Sequence, residues 1–408
     1  MNTKNNNTSF DTLCIHGGFE MEQHHAHQTP IYASSTFIFD SAQHAVDLFT
    51  SKEHGYIYGR FGNPTIEQTE NKIAALETFL LNNGNGEPLQ AKAILHASGM
   101  AAFTTLFLSQ LKQGDTILSH YSLYGGTQEM MDKVLPLCGV NIVLVDCKDI
   151  NVLEEELKIN KSIQLIHLET PANPTIQCVD IAAICKLARQ YNIKVSVDNT
   201  FATPYLQQPF KYGADFIIHS TTKFLNGHGT AIGGVLIGTD VELMNTKVTK
   251  HHRLLGGNSN AFDAFLLNNG IKTLALRMDR HCSNAQKVAE FLATHPKVAF
   301  VNYLGLATHP DYLIAKQQMK NGGALLSFEL KGGLEAGVSF LNKVQLCTHA
   351  VSLGTCDTLV SHPASTTHTG VARELRLKSG ITDGLIRMSV GLENVEDIIR
   401  DIENAIHY

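Results

Sequence analysis

The feature that most restricts this chain is a series of short apolar runs that starts near residue 91 and alternates with helix-like stretches. Ala93–Leu95, Thr116–Ser119, Val140–Val145, Ile163–Leu168, Ile193–Val197, Phe216–Ile218 and Val235–Ile237 each read as a short strand. Most are short, largely apolar runs, although Ile193–Val197 alternates and Ile163–Leu168 carries Gln164 and His167. Such strands are buried on both sides, so helices must cover both faces of a mostly parallel sheet. Helical patterns fall at Ala101–Leu111, at Ile181–Tyr191, and after Pro64, where Ile66, Thr69, Ile73, Leu76 and Leu80 share a face. The expected fold class is α/β. Ligands of such sheets gather beyond the carboxyl ends of the strands, which makes the residues after each run the first candidates for a site.

The flanks are different. Residues 1–62 show little periodicity and many His, Gln, Ser and Thr, and read as an extended arm with one short helix near Ala42–Phe49. Residues 63–258 form the expected large domain and 259–408 a smaller α+β domain. The latter is read as a long helix from Phe262 to about Thr294, strands at Ala324–Leu330, Ala350–Leu353 and Leu385–Val390, and helices at Leu334–Asn342 and Val395–Ile406. A net charge of −6 over 408 residues lacks the basic face of a nucleic-acid binder. No apolar run reaches membrane-spanning length, and the polar first ten residues have no signal-peptide core. Eight scattered cysteines without a C-x-x-C pair read as reduced thiols of a cytoplasmic protein. The stretch Glu22, Gln23, His24, His25, Ala26, His27 reads as a solvated loop, and no metal is expected.

Four strand ends carry chemistry. One apolar strand ends on Asp198, followed by Asn199 and Thr200. A second runs into Ser220-Thr221-Thr222-Lys223. A third ends at Glu169 and enters Pro171-Ala172-Asn173-Pro174, and a fourth leads through Ser98 into Gly99-Met100 at a helix start. Each alone has an ordinary explanation: an Asp after a strand caps a turn, a lone Lys is a solvated charge. Together at one sheet edge they match the demands of pyridoxal phosphate. Its aldehyde requires a lysine amine, here Lys223, and its pyridine nitrogen a carboxylate, here Asp198. Its phosphate suits backbone N–H groups at Gly99 and Met100 with the hydroxyls of Ser220 and Thr222. Its ring face suits an aromatic side chain such as Tyr124. No G-x-G-x-x-G after a strand, G-x-x-x-x-G-K-[ST] or H-E-x-x-H competes.

The stretch Ser220-Thr221-Thr222-Lys223-Phe224-Leu225-Asn226-Gly227-His228 closely resembles the lysine signature of the Cys/Met-metabolism pyridoxal-phosphate enzymes. That family includes the cystathionine γ-synthases and lyases, methionine γ-lyases and O-acylhomoserine sulfhydrylases. Further resemblances lie at residues 58–65, 169–174, 197–200 and 385–391, so the likeness spans nearly the whole chain. It implies the fold-type I architecture and a homotetramer built from two active dimers. In such a dimer Tyr58 and Arg60 reach the neighbouring subunit's cofactor phosphate, a role that suits a guanidinium fork. It further implies that Asn173 bonds the cofactor's ring oxygen. Arg387, assisted by Ser352 and the backbone near Leu353, would hold the substrate carboxylate.

The implied reaction is α,γ-elimination of a sulfur amino acid to a thiol, ammonia and a 2-oxo acid. In it Lys223 shuttles the Cα proton, Tyr124 protonates the leaving sulfur and Tyr58 helps activate it. Segments 270–282, 351–365 and 380–385 resemble the methionine γ-lyase branch, which implies methanethiol and 2-oxobutyrate as products. Methionine γ-lyases typically carry a cysteine beside the substrate sulfur. Here that place is Gly126, as in the cystathionine-handling and sulfhydrylase branches, and Asp357 stands where cystathionine γ-lyases often have Glu. Cystathionine γ-lysis, acyl-homoserine sulfhydrylation and cystathionine γ-synthesis therefore stay open as alternatives. Outside catalysis, a silent cofactor-binding assembly partner stays open too.

Overall fold

The computed structural model describes residues 8–20, 24–366, 369, 373–378 and 380–407. Glu22 and Gln23 of the histidine-rich stretch lie outside these residues. Seven strands form the large sheet: β1 (Lys92–His96), β2 (Thr116–His120), β3 (Asn141–Val145), β4 (Ile163–Glu169), β5 (Lys194–Asp198), β6 (Phe216–His219) and β7 (Gly234–Gly238). Their order is β1-β7-β6-β5-β4-β2-β3. The pairs β2–β3, β2–β4, β4–β5 and β5–β6 are parallel, and only β7 runs against its neighbours β1 and β6. Every residue of β2, β6 and β7 is buried, as continuous apolar runs require. The carboxyl ends of β4, β5 and β6 therefore open on one edge, beside the start of the Gly99–Gln110 helix that follows β1.

Local signals set the helix starts. Ser98 Oγ accepts the Ala101 N–H at 3.1 Å. Asp149 and Asp180 cap the helices Ile150–Ile159 and Ile181–Gln190 in the same way. The helix Pro64–Glu77 begins on its proline and buries Thr69, Ile73 and Leu76. Leu80 falls beyond its end in a left-handed turn and is exposed.

A second sheet contains β8 (Val298–Asn302), β9 (Leu325–Leu330), β10 (Thr348–His349), β11 (Leu359–Ser361) and β12 (Leu385–Ser389), ordered β10-β11-β12-β9-β8. Leu326, Phe328 and Met388 of this sheet pack with Phe340, Ile398 and Ile402 from the helices Gly333–Lys343 and Val395–His407.

Three expectations need correction. The arm carries a second helix, Phe10–His16, started by Ser9, besides Ala42–Phe49. The single helix over 262–294 is two helices, Ala261–Ile271 and Leu274–Thr294. Thr273 Oγ1 and Arg277 Nη2 both take the Gly270 carbonyl, at 3.2 and 2.7 Å, which removes the acceptor the helix would use to continue. The second helix then spans two cores: Leu274, Met278 and Cys282 pack with the large sheet, and Ala285, Val288 and Leu292 with the small one. The expected strand at Ala350–Leu353 is not a strand. Pairing with β11 stops after the Ala350 N–H, and the chain turns inward so that the Ser352 carbonyl meets Arg387.

Candidate active site

The expected residues form a nearly continuous ring of contacts around the sheet edge. Lys223 follows β6, and its Nζ donates to Ser352 Oγ at 3.1 Å. The Ser352 carbonyl accepts Arg387 Nη2 at 2.8 Å, and Arg387 Nη1 reaches Asn173 Oδ1 at 3.3 Å. The backbone N–H of Asn173 donates to Glu169 Oε1 at 2.8 Å, and that of Tyr124 to Glu169 Oε2 at 2.6 Å. Glu169 lies opposite Asp198 in the β4–β5 register. Asp198 accepts the hydroxyl and N–H of Thr200, whose hydroxyl oxygen in turn accepts the Ser220 N–H at 2.9 Å. Ser220 packs on Gly99: a Cβ at Gly99 would lie 3.1 Å from that of Ser220. A Cβ at Gly126 would lie 2.6 Å from the Tyr124 ring and 3.3 Å from Met100 Sδ, so Gly126 and Met100 adjoin the same ring. Leu353 is buried beside this ring, and Gly354 lies against the Lys223 backbone with φ +76°.

Burial sets the electrostatics. It lowers the Lys223 amine to about 8, with nearby Arg387 adding to the effect. That is the range a proton-shuttling lysine needs at neutral pH. Arg387 is 6% exposed, and burial lowers it to about 10. Its Nε is buried without a partner among the described residues. A buried guanidinium with an idle donor is prepared for an anion from outside the chain. Burial raises the Asp198 carboxyl, while the hydroxyl and N–H of Thr200 act to lower it. Burial also raises Glu169, and Asp198 adds to that rise. Burial and mutual repulsion thus disfavour two charges at the floor of the edge, unless a cation joins Asp198 and Glu169 there.

These residues fit pyridoxal phosphate. The lysine amine is deprotonable, and among the described residues the carboxylate at β5 has no ion-pair partner and the Gly99 and Met100 N–H groups at the helix start have no hydrogen-bond partner. Asp198 suits the ring nitrogen, Lys223 the aldehyde, and Gly99, Met100 and Ser220 the phosphate. One expected donor is otherwise engaged. The Thr222 hydroxyl exchanges hydrogen bonds with the Gly233 backbone, donating at 3.2 Å and accepting at 3.0 Å, and so ties the lysine loop to β7. Tyr58 and Arg60 are not in the ring. Arg60 Nη1 donates to the Arg253 carbonyl at 2.6 Å, and the two guanidinium groups flank the Phe61 ring at 4.9 and 5.1 Å.

Three supports escaped sequence reasoning. Glu169 joins the two walls of the site. Arg277, 4% exposed, holds the Phe224 carbonyl at 2.7 Å and so fixes the turn after Lys223. His219 and Glu77 form a fully buried pair just before Ser220. Glu169 was marked as a strand end, but its joining role, like those of Arg277 and of the His219–Glu77 pair, depends on a partner far away in sequence. Elsewhere, the Glu403 carboxylate lies between His295 (3.4 Å) and His407. His295 Nδ1 accepts the Lys297 N–H at 3.2 Å. The terminal helix is held here instead by Lys297 Nζ, which donates to the Ile406 and His407 carbonyls at 2.9 and 3.1 Å.

The chain's similarities agree with this geometry. A family model described as Cys/Met metabolism PLP-dependent enzyme matches residues 11–407. An L-methionine gamma-lyase of Fusobacterium nucleatum subsp. polymorphum is 47% identical over 97% of both chains. An O-acetyl-L-homoserine sulfhydrylase of Leptospira meyeri is 34% identical over 97% of this chain and 96% of its own. Among solved structures, a cystathionine gamma-lyase from Lactobacillus plantarum, complexed with L-serine, superposes with a TM-score of 0.89 at 37% identity, over 98% of this chain and 99% of that one. With a lysine, a carboxylate, a helix start and an arginine clamp assembled at one sheet edge, and with family likeness along the whole length, the chain belongs to the Cys/Met-metabolism pyridoxal-phosphate-dependent enzymes.

Proposed function

We propose that the protein is a carbon–sulfur lyase that performs α,γ-elimination on L-methionine, releasing methanethiol, ammonia and 2-oxobutyrate. The observation that carries this reading is the idle Nε of buried Arg387, three contacts from Tyr124 and joined to Lys223 through Ser352. It calls for an α-carboxylate bound within reach of a lysine base. L-methionine gamma-lyases from Fusobacterium nucleatum and Porphyromonas gingivalis, 47% and 43% identical over nearly the full length, support the choice of substrate. Pyridoxal phosphate, when bound, supplies the electron sink that makes the Cα and Cβ protons of the amino acid acidic.

The chain's own groups do the rest. Arg387 and the Ser352 backbone orient the substrate by its carboxylate. Lys223, its amine near 8, takes the Cα proton and returns it further along the chain. Asp198, buried and held by Thr200, would sit against the ring nitrogen, whose positive charge would in turn favour the ionised carboxylate. Tyr124 has no side-chain hydrogen bond among those described and stands half exposed over the site, free to deliver its phenol proton to the departing sulfur. Asn173 would bond the ring oxygen.

The parts assemble as an arm (1–62), a large domain (63–258) and a small domain (259–408), in a homotetramer of two active dimers. Ile38, Phe49, Leu254 and Phe262 are large apolar side chains left 58–93% exposed near the arm, an area suited to a second copy. Tyr58 and Arg60 then serve the neighbouring site. Eight free thiols suit a cytoplasmic setting. Among the described residues no helix is long and apolar enough to cross a membrane.

Gly126 favours a second substrate range. A side chain there meets the Tyr124 ring, so glycine leaves room for the larger thioether of cystathionine, or for homocysteine and cysteine. The test is a side-by-side rate comparison on methionine, cystathionine, cysteine and O-acetylhomoserine with sulfide. It is paired with borohydride reduction and mass mapping of the coenzyme to Lys223. Methionine turnover to 2-oxobutyrate with label on Lys223 is expected. Dominant thioether synthesis from the acylated substrate, or label elsewhere, refutes the reading. Full activity in isolated subunits would remove the roles of Tyr58 and Arg60.

A further inference from the structure

Glu169 is buried (4% exposed) at the end of β4, and each of its carboxylate oxygens is occupied by one backbone N–H: Tyr124 at 2.6 Å and Asn173 at 2.8 Å. These two residues belong to opposite walls of the site. Tyr124 opens the helix Gly125–Lys133 and carries the aromatic ring. Asn173 carries the amide that meets Arg387. We propose that Glu169 is a positioning residue: one carboxylate sets the distance between the aromatic wall and the carboxylate-clamping wall, and so the seat of the coenzyme ring. The inference rests on the function proposed above.

A local need alone does not call for this residue. Satisfying two N–H groups requires only two acceptors, which backbone carbonyls provide without charge. Here a second carboxylate is buried directly across from Asp198, where the two repel. Among the described residues Glu169 has no ion-pair partner, and Arg387 reaches it only through Asn173. Burying two neighbouring anions is costly unless a cation joins them, and a protonated pyridine nitrogen supplies one. A carboxylate also accepts from both N–H groups at once, whereas a glutamine accepts at one end and donates at the other. The position therefore selects for geometry across the site as well as for capping the nine-residue helix.

The test compares wild-type holoenzyme with E169Q and E169D. In E169Q one backbone N–H faces an amide N–H, and one wall is released. The coenzyme dissociation constant should rise at least about tenfold. The visible circular dichroism of the bound coenzyme should fall to half or less. KM for methionine should rise about fivefold or more, through Asn173 and Arg387. E169D keeps the charge but, one methylene shorter, reaches a single N–H. It should raise the coenzyme dissociation constant about fivefold, and it decides the matter if E169Q does not fold. Coenzyme affinity, dichroism and KM all within twofold of wild type overturn the proposal, even with a lowered unfolding midpoint, because the carboxylate is then only a helix cap. Wild-type protein that carries no borohydride-fixed coenzyme at Lys223 would instead defeat the underlying functional reading.

Discussion

Replacing Arg387 with methionine separates recognition from folding at this site. The side chain keeps its length and loses its charge. The guanidinium donates to the Ser352 carbonyl at 2.8 Å and to Asn173 Oδ1 at 3.3 Å, and its Nε is idle. A substrate carboxylate bound there gains two charge-assisted hydrogen bonds, together about 3–6 kcal/mol. R387M should therefore lower kcat/KM for methionine about 100- to 10,000-fold. Stability should respond little, because two effects oppose each other. The variant leaves the Ser352 and Asn173 oxygens without a donor, at about 1–3 kcal/mol each. It also removes a buried cation that has no carboxylate partner among the described residues, which relieves a desolvation cost of similar size. The unfolding midpoint should stay within about 5 °C. The assay is steady-state release of 2-oxobutyrate with calorimetry on the same samples, plus binding of 3-(methylthio)propylamine, which is methionine without its carboxylate. That amine should bind wild type and R387M equally. A kcat/KM loss under tenfold, or an equal loss of affinity for the amine, refutes the assignment of Arg387 to the carboxylate.

Three further outcomes follow, two from Lys223 and one from the packing of the turn after it. The Lys223 amine attacks only when neutral, so coenzyme addition to the apo-protein should quicken as pH rises through about 8, and at pH 7 run at about a tenth of its plateau rate. Between about 8 and the free-lysine value near 10.4 the folded chain binds fewer protons at this group than the unfolded one, so this lysine's contribution makes the apo-protein more stable as pH rises there. A stopped-flow rate independent of pH from 6.5 to 8 would contradict the burial argument. Gly270→Ala places a Cβ 2.1 Å from the Asn226 carbonyl oxygen, in the turn after Lys223. Helix and turn must separate, at a cost of about 3 kcal/mol in denaturant unfolding, with weaker coenzyme binding alongside. Unchanged stability would mean that this close backbone packing is not needed.

Much of this was legible in the sequence for one physical reason: local signals report local structure. Short, largely apolar runs marked all seven strands of the large sheet, and the helix at Ala42–Phe49 was read from its own pattern. The order of functional groups at the strand ends pointed to the coenzyme, and a lysine signature pointed to the family. The reading failed where a side chain competed for a backbone atom, whether from the next turn or from another element. Arg277 and Thr273 interrupt a helix by taking the Gly270 carbonyl, and Arg387 draws the Ser352 carbonyl away from a sheet.

Composition and periodicity by themselves determined the α/β class and the sheet edge to inspect; the chemistry of the residues at the strand ends, with the lysine signature, singled out Lys223 and Asp198 as candidates. Only the folded chain decided how those groups are wired: Glu169 between Tyr124 and Asn173, Arg387 with an idle nitrogen, Thr222 bound to Gly233 instead of facing outward. The reason is that a hydrogen bond or a burial cost belongs to a pair of atoms and their surroundings. Residues 169 and 124, or 387 and 173, become neighbours only when the sheet and the second domain close around them.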